Sequence, residues 1–175
     1  MTRLRWEDGT SRHRRHLQGF VCCDPEKPNW RRPEEHGELW AYRVQQAVRS
    51  RQALPSPCRP PRYLALGFDG RGLAAVVHYH VLGGDFFLSL VGVAQRCRRA
   101  GGVVADEAMT LMMDRVTAYG VENGLESVWI SGNVDRENRA SKAMLARHGW
   151  VHEGWLDGQY ETWGRDVQVG GVEAS

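Results

Sequence analysis

The chain has 175 residues, which is enough for one domain with a core of ordinary size. An apolar share of 42% and a charged share of 25% are typical of a folded globular protein and exclude a disordered chain. No apolar run approaches the roughly 18 residues of a membrane-spanning helix, so we expect no membrane partner. A net charge of +2 is too small to indicate nucleic acid by itself.

The four cysteines are Cys22, Cys23, Cys58 and Cys97, and their spacing matches no zinc pattern. No signal peptide precedes them, so we expect a reduced, cytoplasmic setting. The arginines beside Cys97 should lower the pKa of its thiol, but the sequence indicates no partnered His-Asp arrangement that would make it a nucleophile. We predict no metal site.

The first third of the chain holds few regular signals. Residues 1–15 are polar and basic and predict a flexible N-terminal arm. Residues 16–23 predict a first strand, and residues 34–52 predict a helix. The apolar side of that helix carries Trp40, Val44, Ala47 and Val48. Residues 54–61 contain four prolines and therefore predict a loop.

The middle of the chain predicts strands and then a long helix. Residues 63–68 and 73–82 predict a hairpin around an Asp-Gly turn, and residues 86–93 predict a third strand. Residues 104–123 predict a helix, because apolar side chains recur at helical spacing, and Gly124 is its expected stop.

The last third predicts a strand at residues 125–130 and a polar loop at residues 133–138. A helix follows at residues 139–148, and the two final strands lie at residues 150–155 and 160–167. This order of elements predicts a mixed α+β domain built around one sheet.

The segment VAQRCRRAGGVV, residues 93–104, joins the third predicted strand to the long helix. A helix N-terminus exposes about four unpaired N–H groups and carries roughly half a positive charge. Glycines let an anion approach the backbone, and arginine adds charge-assisted donors. Neither common nucleotide-binding fingerprint is present. The segment alone therefore leaves two interpretations open, a pyrophosphate cradle and a solvated basic turn.

This segment resembles the acetyl-CoA-binding signature of the GNAT superfamily of N-acetyltransferases, in which a strand ending in valine leads to Arg/Gln-x-x-Gly-x-Gly/Ala and a helix. Val93, Arg98 and Gly101 match that pattern. The later segment NRASKAMLARHGW resembles the second signature of the family. The positions that match it are Asn138, Ser141, Met144, Gly149 and Trp150.

The resemblance implies one acetyltransferase-like domain over residues 16–168, with a mostly antiparallel sheet, a splayed strand pair and flanking helices, and a flexible tail over residues 169–175. It implies direct transfer of an acetyl group from acetyl-CoA to a primary amine, of a small molecule or of a protein, in a ternary complex. The amide of Ala94 would stabilise the oxyanion. The implied cofactor site comprises Val91, Val93, Ala94, Arg98, Arg99, Ala100, Gly101, Gly102, Val103, Asn138 and Ser141.

Two positions depart from the family pattern. The second Gly/Ala of the cradle falls on Val103, which resists positive φ angles, and Gly102 would take its role through a local shift in register. Many members carry a tyrosine that protonates the departing thiolate. The matching position here is Leu145, which has no proton to give.

The candidate bases are His78, His80 and Glu153, with Glu161 as a further carboxylate. The two histidines lie two residues apart on a predicted strand, so they share one face, and histidine accepts a proton near neutral pH. The alternative is that these are ordinary hydrogen-bonded or solvated strand residues. A His-x-His metal site would need a further ligand that the sequence does not indicate.

Two other functions remain open at this stage. A non-catalytic coenzyme-A-binding sensor or scaffold of the same fold would explain Leu145 and Val103. An acetyltransferase toxin directed at aminoacyl-tRNA would use the basic residues from Arg3 to Arg15, which makes tRNA the one nucleic-acid partner to consider. Family members commonly dimerise through their last strands, so the resemblance also implies a homodimer.

Overall fold

The computed structural model describes residues 3–23, 38–50, 62–98 and 102–170. Within them, seven strands form one sheet and five α-helices flank it. The strands are β1 (Arg5–Asp8), β2 (Arg62–Asp69), β3 (Gly72–Leu82), β4 (Asp85–Val93), β5 (Ser127–Asp135), β6 (Val151–Trp155) and β7 (Tyr160–Gln168). The helices are α1 (Arg14–Gln18), α2 (Leu39–Arg49), α3 (Gln95–Arg98), α4 (Val103–Glu122) and α5 (Arg139–Arg147).

The strands lie in the order β1-β2-β3-β4-β5-β7-β6. All the neighbouring pairs are antiparallel except β4 and β5, which are parallel. A parallel pair needs a long crossover connection, and here α4 provides it. The predicted α+β class, with a mostly antiparallel sheet in a single domain, is confirmed.

Helices cover both faces of the sheet, and each face has its own apolar core. On one face, Met109, Met112 and Val116 of α4 are fully buried against the sheet, in a cluster that also includes residues of α5. On the other face, Leu17 of α1 and Val48 of α2 pack against the opposite side of β2 and β3. Burial of these side chains is the main stabilising contribution at each face.

Residues 5–8, which the sequence assigns to a flexible arm, instead form β1 and pair with β2 at the edge of the sheet. The chain approaches Gly67 so closely that a Cβ there would lie 2.9 Å from the Leu4 side chain. The strand was missed because it is short and mostly charged, as edge strands often are.

Residues 16–23 were predicted to form a strand, but α1 ends within them at Gln18. Leu17, Phe20 and Cys23 are all buried. Residues 19–23 form neither a helix nor a strand: the Cys22 N–H donates to the Gln45 side-chain oxygen at 2.9 Å, and the Val21 carbonyl oxygen accepts the Gln95 N–H at 2.9 Å. The apolar residues are therefore buried as expected, but the backbone of this segment bonds to α2 and α3 and not to a neighbouring strand.

The predicted helices at residues 104–123 and 139–148 are observed within one residue of their bounds. The helix predicted at residues 34–52 is observed at Leu39–Arg49, and part of the predicted range lies outside the described residues. The strand predicted at residues 125–130 starts and ends later and continues through the expected polar loop to Asp135, because Val134 is buried and residues 127–135 pair with β7.

The C-terminal tail predicted for residues 169–175 begins with an anchored residue. Val169 is buried against Gly120 of α4, and its N–H donates to the Glu126 carbonyl oxygen at 2.9 Å. Residues 171–175 lie outside the described residues. In the part of the chain that the structure describes, no helix is both long and apolar enough to cross a membrane.

Candidate active site

The central feature of the site is the divergence of β4 from β5. The two strands pair at three positions, the last of which joins Leu88 to Gly132. Beyond that point β4 continues to Val93 and β5 to Asp135, without further pairing between them. Glycine is required at 132 because a Cβ there would lie 2.9 Å from the Leu88 carbonyl oxygen. The predicted splayed strand pair is thus present, and it begins at Gly132.

A β-bulge in β4 marks the same place. Tyr79 pairs with Leu88 and His78 pairs with Leu90, so Ser89 is the extra residue on β4. Bulges bend a strand and increase its local twist. Here the bulge turns the second half of β4, residues 89–93, away from β5.

The divergence opens a cleft with a volume of about 600 Å³. Its walls are the second half of β4, the end of β5, α5 and the side of α2 that carries Trp40, Val44 and Ala47. The apolar stripe that the sequence assigns to this helix therefore lines the cleft in large part, while Val48 is buried in the core. A cleft of this size can hold an extended ligand of several hundred daltons.

One end of the cleft meets the N-terminus of α4. Gly102 caps that helix with a φ of +86°, a left-handed conformation that favours glycine, and its carbonyl oxygen accepts the Asp106 N–H at 2.9 Å. The expected role of Gly102 in the turn, with Val103 as the first helical residue, agrees with this geometry. The N–H groups of the first turn, together with the helix dipole, suit a phosphate group.

Arg99, Ala100 and Gly101, three residues of the predicted cradle, lie outside the described residues. The neighbouring Arg98 lines the cleft, but its guanidinium already has protein partners. It donates to Glu38 and to the Cys22 carbonyl oxygen, and its Cζ lies 4.9 Å from the centre of the Trp40 ring. Arg98 thus holds α2 against the start of the predicted cradle.

The remaining predicted cofactor residues divide into two groups. Val91 and Val93 on β4 line the cleft, but Ala94 does not. The Ala94 N–H donates to the Ala74 carbonyl oxygen at 2.8 Å. The expectation that Ala94 offers a free amide to an oxyanion is therefore wrong.

Asn138 and Ser141 form the opposite wall of the cleft, as the second signature implies. Asn138 is buried and caps α5: its side-chain oxygen accepts the Ser141 N–H at 3.0 Å, and its amide donates to Ser141 Oγ at 2.7 Å. This side chain fixes the start of α5. Leu145, on the same helix, is buried and also borders the cleft, where it can donate no proton.

None of the three predicted bases lines the cleft. Glu153 is exposed on β6. His78 is buried, its Nε2 has no hydrogen-bond partner among the described residues, and desolvation lowers its pKa to about 4. His80 comes closest, because its Nδ1 lies 3.3 Å from Oγ of Ser89, which does line the cleft. Burial lowers the pKa of His80, so its imidazole is neutral at neutral pH.

Besides Asn133 and Asp135 at the end of β5, four polar side chains of the cleft lie outside the predicted site: Ser89, Arg43, Tyr160 and Arg147. Arg147 lies closest to the cap of α4, since a Cβ on Gly102 would be 3.1 Å from its Nη2. It also pairs with Asp106 at 2.7 Å. The second signature contains Arg147, and its position near the end of α5 was the available signal. The other three come from elements whose meeting the sequence does not reveal.

The cysteines of the site are packing residues. Burial raises the pKa of the Cys97 thiol, and it outweighs the nearby Arg96, so the expected lowering is wrong. Burial likewise raises the pKa of Cys22 to about 12. Among the described residues, no cluster of histidine, cysteine or carboxylate side chains has the arrangement of a metal site.

No family model matches the sequence, and no curated protein matches it. Many solved structures align with this chain, among them three that cover nearly all of it. The PaiA N-acetyltransferase of Thermoplasma acidophilum, in complex with coenzyme A, has a TM-score of 0.61 and 12% identity over 94% of this chain and 99% of its own. The ribosomal-protein-S18-alanine N-acetyltransferase of Escherichia coli has a TM-score of 0.57 and 12% identity, and the alignment covers 98% of this chain and 99% of that one. A GNAT-family acetyltransferase of Streptococcus pneumoniae has a TM-score of 0.56 and 14% identity, and the alignment covers 95% of this chain and 99% of that one.

The chain therefore has the fold of the GNAT acetyltransferases. In this chain the divergent strand pair, the glycine-capped helix and the cleft between them form one continuous site.

Proposed function

We propose that this protein is an N-acetyltransferase that moves an acetyl group directly from acetyl-CoA to a primary amine. The observation that supports this most strongly is the cleft that opens where β4 leaves β5 and that ends at the glycine-capped N-terminus of α4. It is supported further by the similarity to N-acetyltransferase structures, one of them solved with coenzyme A.

In this proposal the open half of β4 binds the pantetheine arm. The backbone of Val91 and Val93 offers the N–H and C=O groups that β5 no longer pairs. The pyrophosphate would lie against the first turn of α4, with amides from residues 99–103 as donors. Arg147, beside Gly102, would supply a charge-assisted contact. Arg98 would act chiefly by anchoring α2 through Glu38.

The acceptor amine must lose a proton as the new C–N bond forms and the thioester C–S bond breaks. Ser89 and His80 can take that proton: Ser89 Oγ receives it from the amine while its own hydrogen passes to His80 Nδ1, 3.3 Å away. This requires neutral His80 with its ring hydrogen on Nε2. The thiolate leaves as an anion and is protonated by water, because Leu145 has no acidic hydrogen.

The experiment is a thiol-release assay with acetyl-CoA and a panel of primary amines. We expect His80→Gln and Ser89→Ala each to lower kcat by about 100-fold, the low end of the range for general acid–base catalysis, with acetyl-CoA affinity unchanged. His16→Gln, which changes a histidine of α1 away from the cleft, is the matched control. Unchanged kcat in both variants would remove this pair from the mechanism.

A second function is favoured by one observation, the buried leucine that borders the cleft at position 145. A protein that binds coenzyme A without catalysing transfer would have no use for an acid there. Acetyl-CoA binding together with no acetylated product from any amine of the panel would support this second function over the first.

A further inference from the structure

The charges of the cleft point to the class of amine that it accepts. Within the described residues, Asp135 is the one carboxylate that lines the cleft, and both of its oxygens are engaged. Oδ1 accepts the Glu137 N–H at 3.0 Å, and Oδ2 accepts from the Gln159 side chain at 2.9 Å. The cleft therefore presents no set of free carboxylates of the kind that would attract a polyamine or another polycation.

Three arginines line the cleft, and they differ in their partners. Arg98 is paired with Glu38, and Arg147 is paired with Asp106. Arg43 of α2 has no carboxylate partner in the described ranges. Its Nη1 donates to the hydroxyl oxygen of Tyr160 at 3.3 Å, which leaves the rest of the guanidinium open to a ligand.

Arg43 and Tyr160 approach each other from opposite walls of the cleft. Arg43 lies on α2, and Tyr160 is the first residue of β7, paired with Asp135 at the end of β5. The Tyr160 oxygen accepts from Arg43, so its own O–H can donate to a third group. A planar guanidinium with an adjacent hydroxyl donor is suited to a carboxylate or a phosphonate.

We propose that the acceptor is a small amine that also bears a carboxylate or a phosphonate, and that Arg43 and Tyr160 bind this anionic group. The inference rests on the acetyl-transfer function proposed above. It assigns the specificity of the cleft to a pair of residues contributed by α2 and β7, neither of which belongs to the two sequence signatures.

The test compares matched acceptors that differ only in the anionic group. Steady-state kcat/KM is measured for an α-amino acid and its α-amino amide, and for an aminoalkylphosphonate and the alkylamine of the same length. The two pairs distinguish a carboxylate from a phosphonate ligand. We expect the wild-type protein to prefer an anionic member by tenfold or more, as for the loss of one charge-assisted hydrogen bond.

Arg43→Gln should remove that preference. It should lower kcat/KM for the anionic acceptor by about tenfold, chiefly through KM, and leave the uncharged partner unchanged. Arg43→Lys should restore part of this loss. Tyr160→Phe should lower kcat/KM for the anionic acceptor by a smaller factor, about three. Arg15→Gln, which removes the same charge from α1 away from the cleft, is the matched control and should retain the preference.

The outcomes separate this inference from the function on which it rests. Acetylation of uncharged amines or polyamines in preference to anionic ones would overturn the inference and keep the acetyltransferase. An equal loss on both members of a pair in Arg43→Gln would also overturn it. No calorimetric binding of acetyl-CoA to the wild-type protein would refute the function itself and the inference with it.

Discussion

The two halves of β4 differ in what lies on their β5 side. The first half pairs with β5 from Phe86 to Leu88, and Phe86 and Leu88 are buried in the core beneath α4. The second half, residues 89–93, pairs with β3 from Leu90 onward but has no pairing with the described part of β5. One strand thus stabilises the sheet along its first half and leaves backbone hydrogen-bonding groups without a β5 partner along its second.

The proposed binding site results from a local interruption of the sheet. The interruption needs two local devices, a glycine at 132 and an extra residue at Ser89. Unpaired backbone groups are costly when they are buried. A ligand that pairs with them recovers this cost, so the open half is expected to be stabilised by ligand binding while the closed half is not.

The largest expected effect is at the boundary between the two halves. Gly132→Val would place Cβ 2.9 Å from the Leu88 carbonyl oxygen, a backbone atom that cannot move away cheaply. We expect a loss of at least about 3 kcal/mol in the free energy of unfolding, measured by denaturant titration. Gly158→Val, at a glycine with no atom within 4 Å of the added Cβ, is the control and should cost far less. Equal losses would show that the close approach at 132 is unimportant.

A pH-dependent effect comes next, from His78, which pairs with Leu90 in the open half. Desolvation, helped by Arg62 and His80, lowers its pKa from 6.5 to about 4 in the folded protein. Between these values the unfolded chain binds more protons, so stability falls as the pH falls. Between pH 7 and pH 5 the free energy of unfolding of the wild-type protein should fall by about 2 kcal/mol more than that of His78→Leu, because one pKa unit is worth about 1.4 kcal/mol. Denaturant titrations at the two pH values measure this difference. Parallel pH profiles for the two proteins would contradict this.

A third effect tests the end of the cleft that meets the cap of α4. Gly102→Ala would force a φ of +86° on alanine and bring Cβ to 3.1 Å from Arg147 Nη2. We expect acetyl-CoA affinity, measured by calorimetry, to fall about tenfold, since such strain costs about 1–3 kcal/mol. Gly124→Ala carries similar strain, at φ +63°, at the other end of α4 and should leave the affinity unchanged. A matching loss in Gly124→Ala would mean that affinity follows helix stability and not the cap.

The smallest effect concerns the wall opposite β4. Asn138→Ala removes the cap of α5 and should lower the free energy of unfolding by about 1 kcal/mol in thermal melts. Asn138→Asp keeps the acceptor oxygen and should retain most of the stability. If both variants melt alike, the cap is not the source of the effect.

The hairpin and the long helices could be predicted from the sequence better than the edge strand and the diverging end of β5. The β2–β3 hairpin, α4 and α5 were predicted because each has a local signal, namely an Asp-Gly turn or apolar residues at helical spacing. Strand β1 was missed because a short, charged edge strand carries no such pattern. The end of β5 was missed because polar residues that face a cleft resemble a loop.

The residues of the candidate site also divide into those that the sequence indicates and those that it does not. Val91, Val93, Gly102, Asn138 and Ser141 belong to contiguous signatures and line the cleft. The partners of Arg98, the role of Ser89 in the bulge and the meeting of Arg43 with Tyr160 all depend on elements far apart in the chain. Such contacts are set by tertiary packing, which periodicity does not report.

The most direct test of the account is a calorimetric titration of the purified protein with acetyl-CoA, coenzyme A and ATP. We predict micromolar binding of both coenzyme A forms and much weaker binding of ATP, because the open half of β4 would pair with a pantetheine arm that ATP lacks. Equal affinity for ATP and acetyl-CoA, or no binding of either coenzyme A form, would contradict the claim that the divergence of β4 and β5 is a coenzyme A site.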